Sequence, residues 1–208
     1  GKFNLSGEKQ HRVSGPINDL FFDGLLLVPG GTGTNEETFF NRWLAENAVE
    51  YFRSRNGGVH RGGIMGHNTV ALPVVLDAEL SERDVTANNL LLYGTFASNA
   101  ILSRFERHLP LVFGEQTIRI FDKSWQAKGI AIFAVFPHPE NSKLYIAIHG
   151  GTTPDAICWG SHLDMQLLPD YLVYAGERLL DWGFWGNDWR TQSHETAINS
   201  NLTSSRNY

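Results

Sequence analysis

The chain has 208 residues and a formal net charge of −5 with its histidines neutral, and its 17 lysines and arginines form no basic run, which excludes the electrostatic footprint of a nucleic-acid binder. The one cysteine, Cys158, excludes an internal disulfide and a cysteine-based zinc site, and no stretch reaches the ~18 apolar residues of a membrane-spanning helix. This length accommodates one sizeable core, so a single domain of the α/β or α+β class is expected.

In chain order, the opening "GKFNLSGEKQHR" is polar and lacks the apolar core of a signal peptide, so residues 1–13 read as a linker or tail. "GLLLVP", 24–29, is a continuous apolar run, the mark of a strand buried on both faces. A helix is expected over 35–55: Thr34 with Glu37 makes a capping-box pattern, and Phe39, Phe40, Trp43, Leu44, Ala48, Tyr51 and Phe52 recur on one face. "TVALPVVLDAEL", with Pro73 near its start, suits an edge strand, and Ser81 with Asp84 begins a short capped helix. "NLLLYG", 89–94, is a second buried strand, followed by a helix over 98–109 with Ser98 at its N-cap and Pro110 at its stop.

The second half changes character. "QTIRIFD", "GIAIFAVF", "KLYIAIHGG", "DYLVYAG" and "RLLDWGFW" read as five strands joined by short turns, with hairpin connections at "PHPENS" and "AGER". The expected fold is therefore α/β and three-layered, with a mixed, partly parallel sheet and a strand-rich C-terminal half over 14–190. A polar tail is expected over 191–208. Three tryptophans, Trp182, Trp185 and Trp189, close the chain's last strand region and read as core packing rather than a ligand platform.

Three turns share a Gly-Thr pair at a strand exit: "PGGTGTN", "YGTFASN" and "HGGTTP". If strand 25–29 is central, with 73–76 on one side and 90–93 on the other, the first two border a topological switch point, and the third joins them if 144–149 runs parallel. Backbone N–H groups and hydroxyls at such turns suit a phosphate or carboxylate. The candidate ligand contacts are Gly31, Thr32, Gly33 and Thr34 from the first turn, Thr95, Ser98 and Asn99 from the second, and His149 beside the third. The order of "GGTGTNEET" does not match the Thr-x-Thr-Gly-x-Thr loop of flavodoxins, and neither a Gly-x-Gly-x-x-Gly nor a Walker loop occurs. The favoured reading is a capped strand-to-helix turn that holds a stray anion only weakly, with no cofactor expected.

Hydrolase chemistry finds no frame here. No serine sits in Gly-x-Ser-x-Gly, and the one cluster of nucleophile and base types, "CWGSHLD", places Cys158, Ser161 and His162 too close in sequence for groups that must converge from different elements. His60, His67, His138, His149 and His162 are dispersed without paired spacing, so no metal site and no catalytic residue is expected.

The segments "SGPINDLFFDGLLLVPGGTG", "LDAELSERDVTANNLLLYGTFASNAILSRFERHLPL", "FPHPENSKLYIAIHGG" and "DYLVYAGERLLDWGFWGNDWR" together resemble the C-terminal accessory region of some large secreted bacterial hydrolases. Those proteins are prolyl-oligopeptidase-like or esterase-like members of the α/β-hydrolase superfamily. The resemblance spans roughly residues 14–190. It rests on Gly15, Pro16, Ile17 and Asp19, on Asn89, Leu90, Leu92, Gly94, Ser98 and Asn99, and on the turn Pro137, His138 and Pro139. It implies a flavodoxin-like accessory domain, secreted or periplasmic, whose partners are the α/β-hydrolase domain of the same parent protein and further copies in a homo-oligomer. It carries no catalytic residue onto this chain, and it implies neither a nucleic-acid nor a membrane partner.

Overall fold

A computed structural model describes residues 8–10, 13–21, 24–58, 72–162 and 168–191, with the backbone alone at 21, 50–58, 161 and 162. The two continuous apolar runs become β1 (Leu25–Pro29) and β2 (Asn89–Tyr93), which pair in parallel with Leu27 opposite Leu91. Neither strand alternates in polarity because both faces are covered: Leu27, Val28 and all five residues of β2 are buried. Between them lie α1 (Asn35–Gly58) and α2 (Glu82–Ala87), and after them α3 (Ala100–Phe105).

The strand-rich half supplies β3 (Leu111–Phe113), β4 (Thr117–Ile120), β5 (Lys123–Gln126), β6 (Ile130–His138), β7 (Asn141–Gly151), β8 (Tyr171–Ala175) and β9 (Arg178–Gly183). Six strands form one mixed sheet in the order β1-β2-β7-β6-β8-β9, with β1, β2 and β7 parallel and β6 antiparallel to both neighbours. The expected hairpins are present between β6 and β7 and between β8 and β9. Outside β1, Leu27 donates to Pro73 O at 2.9 Å and accepts from Val75 N at 3.0 Å, a parallel bridge that puts the 73–75 segment on the edge where its proline is tolerated. The parallel segments therefore follow a 2-1-3-4 order, and the chain changes direction across the sheet beside β1. The domain is thus α/β, with the mixed, partly parallel sheet and strand-rich C-terminal half that the sequence implies.

Three features go beyond or against the sequence reading. First, β4, the strand expected over "QTIRIFD", stands outside the main sheet. It pairs with the short β3 and β5 in a separate antiparallel sheet and buries Ile118 and Ile120 beneath it. Second, the buried stripe of α1 is Asn41, Leu44 and Ala45 with Ala48 beside them, whereas Phe39 is 60% exposed and Trp43 38% exposed. The apolar run is wider than the face that meets the sheet, so one helical rotation of about 100° carries residues 39 and 43 outward. Third, α3 begins one residue later than expected: Asn99, not Ser98, is the N-cap, accepting from Leu102 N at 3.0 Å. The Ser98 side chain turns back instead, its Oγ accepting from Thr95 N at 2.9 Å. The helix also tightens into a 3-10 turn over Glu106–His108 before Pro110.

The terminal aromatics divide as well. Trp185 and Trp189 are buried, and Trp185 stacks on Tyr171 at 4.6 Å while donating to Val135 O at 2.8 Å. Trp182 is half exposed. Lys9, assigned to the leading tail, is tied into the body: its Nζ lies 2.8 Å from Asp170 Oδ2 and its backbone N donates to Asn187 O.

These faces make a paired prediction. Phe105→Ala, at a fully buried ring packed edge-on to His138, should cost about 3–5 kcal/mol in urea denaturation, the range for core aromatic truncation. Trp43→Ala should cost clearly less; equal losses would show that α1 turns its Trp43 face toward the sheet.

Candidate functional site

The 2-1-3-4 order brings four turns to one end of the sheet: residues 30–34 after β1, 76–77 after the edge segment, 94–99 after β2 and 152–155 after β7. Their closeness demands glycine. A Cβ on Gly30 would stand 2.2 Å from Ser98 O, and Gly94 adopts φ +119°, a region that side chains disfavour.

The turn weighed from sequence as an anion cradle is taken up by a side chain of the protein itself. The buried Asp77 carboxylate accepts from Gly31 N at 2.8 Å, Ala78 N at 2.9 Å, Ala100 N at 2.6 Å and Thr32 Oγ1 at 3.2 Å. One side chain from the sheet edge thus occupies the N–H groups of the β1 turn and of the α3 start, where a phosphate would otherwise sit. Thr32 N is directed to Ser98 O at 3.3 Å. The expectation of free N–H groups at the Gly31/Thr32 turn is therefore not met.

The other residues singled out from sequence have local work. Thr34 and Glu37 form the capping box of α1, Thr34 Oγ1 accepting from Glu37 N at 3.2 Å and Glu37 Oε2 accepting from Thr34 N at 2.8 Å. Gly33 abuts Ser98 and Glu37. Asn99 is wholly buried and donates through Nδ2 to Val28 O at 3.0 Å and Tyr93 O at 3.1 Å, which ties the ends of β1 and β2 together.

His149 lies behind the turns, stacked on Phe133 with centroids 4.9 Å apart and Nε2 2.5 Å from Tyr174 Oη. That hydroxyl donates to Ile157 O at 3.2 Å, so Nε2 is the donor to it. Burial lowers the His149 pKa to about 3, leaving a neutral imidazole. His138 is structural too: Nδ1 accepts from Glu140 N, so Nε2 donates to Val85 O at 2.8 Å. Burial, reinforced by the charge of Asp155, pushes the Cys158 thiol up to about 11, away from the reactive thiolate. The side chains of Ser161 and His162 lie outside the described residues, as do His60 and His67.

Beside the filled cradle, a crevice of about 320 Å³ remains open between the 94–98 turn, α1 and the 152–154 turn. Thr95 and Ser98 line it as the sequence suggested, joined by Glu37, Asn41, Phe96, Phe113, Glu106 and Thr152. Gly31, Thr32, Asn99 and His149 are not among its walls. Sequence reasoning missed Asp77 and Asn41. Asn41 did carry a signal, a polar residue inside the apolar stripe of a helix; it is 3% exposed and donates to Gly30 O at 3.2 Å. Asp77 carried none beyond following an apolar strand. Among the described residues no group of three or more His, Cys, Asp or Glu side chains is arranged to hold a metal ion. Comparison with protein-family models and with curated proteins finds no match for this chain.

Removing the internal anion should be severe and rescuable. Asp77→Ala should cost at least about 3 kcal/mol, the loss of two or more hydrogen bonds to a carboxylate, and acetate or formate should raise the melting temperature of the variant but not of the wild type. Equal response of both proteins to formate would show that Asp77 does not occupy an anion cradle.

A pH prediction follows from His149. Because its folded pKa is depressed from 6.5 to about 3, the unfolded chain binds the extra proton in that window, and stability is lost as pH falls through it, by up to about 5 kcal/mol in all. His138, also lowered chiefly by burial, adds in the same direction. Denaturation midpoints measured across the window should fall with acid, and the slope should flatten in His149→Gln; an unchanged slope would contradict the buried neutral imidazole.

Proposed function

We propose that this chain is a non-catalytic accessory domain of a secreted or periplasmic multidomain hydrolase of the peptidase or esterase type, acting through contacts with the α/β-hydrolase domain of the same parent protein. The observation that carries this reading is Asp77: the switch point where a sheet of this order takes its ligand is plugged from within, by four hydrogen bonds to one carboxylate. The buried histidines support it, Nε2 of His138 meeting Val85 O and Nε2 of His149 meeting Tyr174 Oη within the core. So does the sequence resemblance over roughly residues 14–190. A surface for such contacts is present on the edge strand β9 and its exit, where Leu179, Trp182 and Phe184 are 47%, 49% and 53% exposed and the two aromatic rings meet edge to face at 6.3 Å.

A second reading, a flavodoxin-like ligand-binding domain, is favoured by one observation, the open crevice beside Thr95 and Ser98. It is compatible with the first, since an accessory domain can carry a ligand.

The reading predicts that the reading frame around this segment encodes a domain with Gly-x-Ser-x-Gly, and that this domain, produced separately, binds the present chain. Trp182→Asp with Phe184→Asp should weaken that association at least about tenfold, as loss of aromatic anchors does, while leaving the fold intact by circular dichroism. The isolated chain should release no product from a chromogenic ester above buffer. Ester hydrolysis abolished by Ser161→Ala, or a parent without a hydrolase domain, would overturn the proposal.

A further inference from the structure

The crevice beside the cradle has a chemistry of its own. Its volume of about 320 Å³ stands at the small end of ligand sites, which run about 300–1,000 Å³, and suits a single ring rather than a flavin or dinucleotide.

Its polar groups are unevenly matched. Asn41, buried at 3% exposure, uses Nδ2 on Gly30 O, and its Oδ1 has no hydrogen bond among the described residues. Glu37 engages Thr34 through Oε2 alone, so Oε1 is an unused acceptor. Glu106 adds a second carboxylate to the lining. Thr95 Oγ1 and Ser98 Oγ lie 3.2 Å apart and each already accepts a backbone N–H, from Ala97 and Thr95 respectively. Two hydroxyls joined by one hydrogen bond leave one hydroxyl proton over. Phe96 and Phe113, edge to face at 5.6 Å, supply an apolar wall. Among the described residues no lysine or arginine lines the crevice.

We propose that this crevice binds one amino sugar ring, with its ammonium group toward Glu37 and Glu106, its hydroxyls toward Asn41 Oδ1 and the Thr95/Ser98 pair, and its C–H face on Phe96 and Phe113. The acceptor surplus selects a ligand rich in donors, and the two carboxylates repel phosphate and carboxylate ligands. The aromatic wall and the small volume select a ring over an open-chain polyamine. This assignment rests on the second reading above, the ligand-binding one, and is independent of the contact with a hydrolase domain.

The test is titration calorimetry of the full chain with glucosamine, glucose, glucose 6-phosphate and cyclohexylamine. Glucosamine should bind at least about tenfold more tightly than glucose or cyclohexylamine, and glucose 6-phosphate should bind most weakly. Glu37→Gln retains an amide oxygen for the capping box and should erase most of the glucosamine preference over glucose; Ser98→Ala should weaken both sugars. Circular dichroism and the melting temperature verify that each variant is folded. Cyclohexylamine binding as tightly as glucosamine would overturn the sugar assignment and leave the ligand-binding reading standing. Tightest binding of glucose 6-phosphate, or a glucosamine preference unchanged in folded Glu37→Gln, would overturn the assignment of the ligand's charge. Saturable binding of none of the four would overturn the sugar assignment and remove the support for the ligand-binding reading.

Discussion

The Asp77 carboxylate is the point at which this end of the molecule is joined. It comes from the sheet-edge segment, yet its two oxygens reach the turn after β1 and the first turn of α3 as well as its own neighbour, Ala78. Three pieces of chain distant in sequence are thereby held through one side chain, and each supplies a backbone N–H that would otherwise be left without a partner at a crowded strand exit. A carboxylate is the natural partner for converging N–H groups, because the positive ends of peptide dipoles gather there.

The glycines follow from the same crowding. Gly30 must pass within contact of Ser98 O, and Gly94 must turn through a conformation reserved for residues without a Cβ, so that Asn99 can reach back to Val28 O and Tyr93 O. The result is a closed, internally satisfied seam between β1 and β2. The open volume lies one turn further along, toward β7, and there the carboxylates of Glu37 and Glu106 are among the lining and no lysine or arginine is, among the described residues. The two regions touch through Ser98, whose carbonyl accepts from Thr32 N in the seam and which is also among the residues lining the crevice. Behind both, His149 has lost its usual titration to burial and serves as a flat, neutral ring between Phe133 and Tyr174.

Much of the scaffold was legible from residue pattern. Continuous apolar runs marked β1 and β2 as buried parallel strands, the capping boxes at Thr34/Glu37 and Ser81/Asp84 marked two helix starts, and the hairpin turns marked the β6–β7 and β8–β9 connections. The candidate site was legible only as a neighbourhood. Gly-Thr turns announced where backbone N–H groups would gather, but pattern at one turn says nothing about which side chain arrives from another, so Asp77 was invisible. The rotation of α1 was likewise hidden: an apolar run wider than its buried face leaves the orientation to packing, and Asn41 points inward because Gly30 O awaits it there.

Taken by itself, then, the sequence determined the periodicities, the caps and the turns, since these depend on neighbours a few residues apart. It also set the 2-1-3-4 parallel order within reach, because a buried strand with an edge strand on one side and another buried strand on the other admits few arrangements. Only the tertiary structure decided that β3, β4 and β5 form their own sheet, that Trp43 faces out, that the cradle is occupied from within and that the accessible crevice is acidic rather than basic. The reason is physical: hydrogen-bond satisfaction at a strand exit is settled among groups that meet in space, and the groups that meet here come from residues 31, 77 and 100, whose separation along the chain erases any local signal.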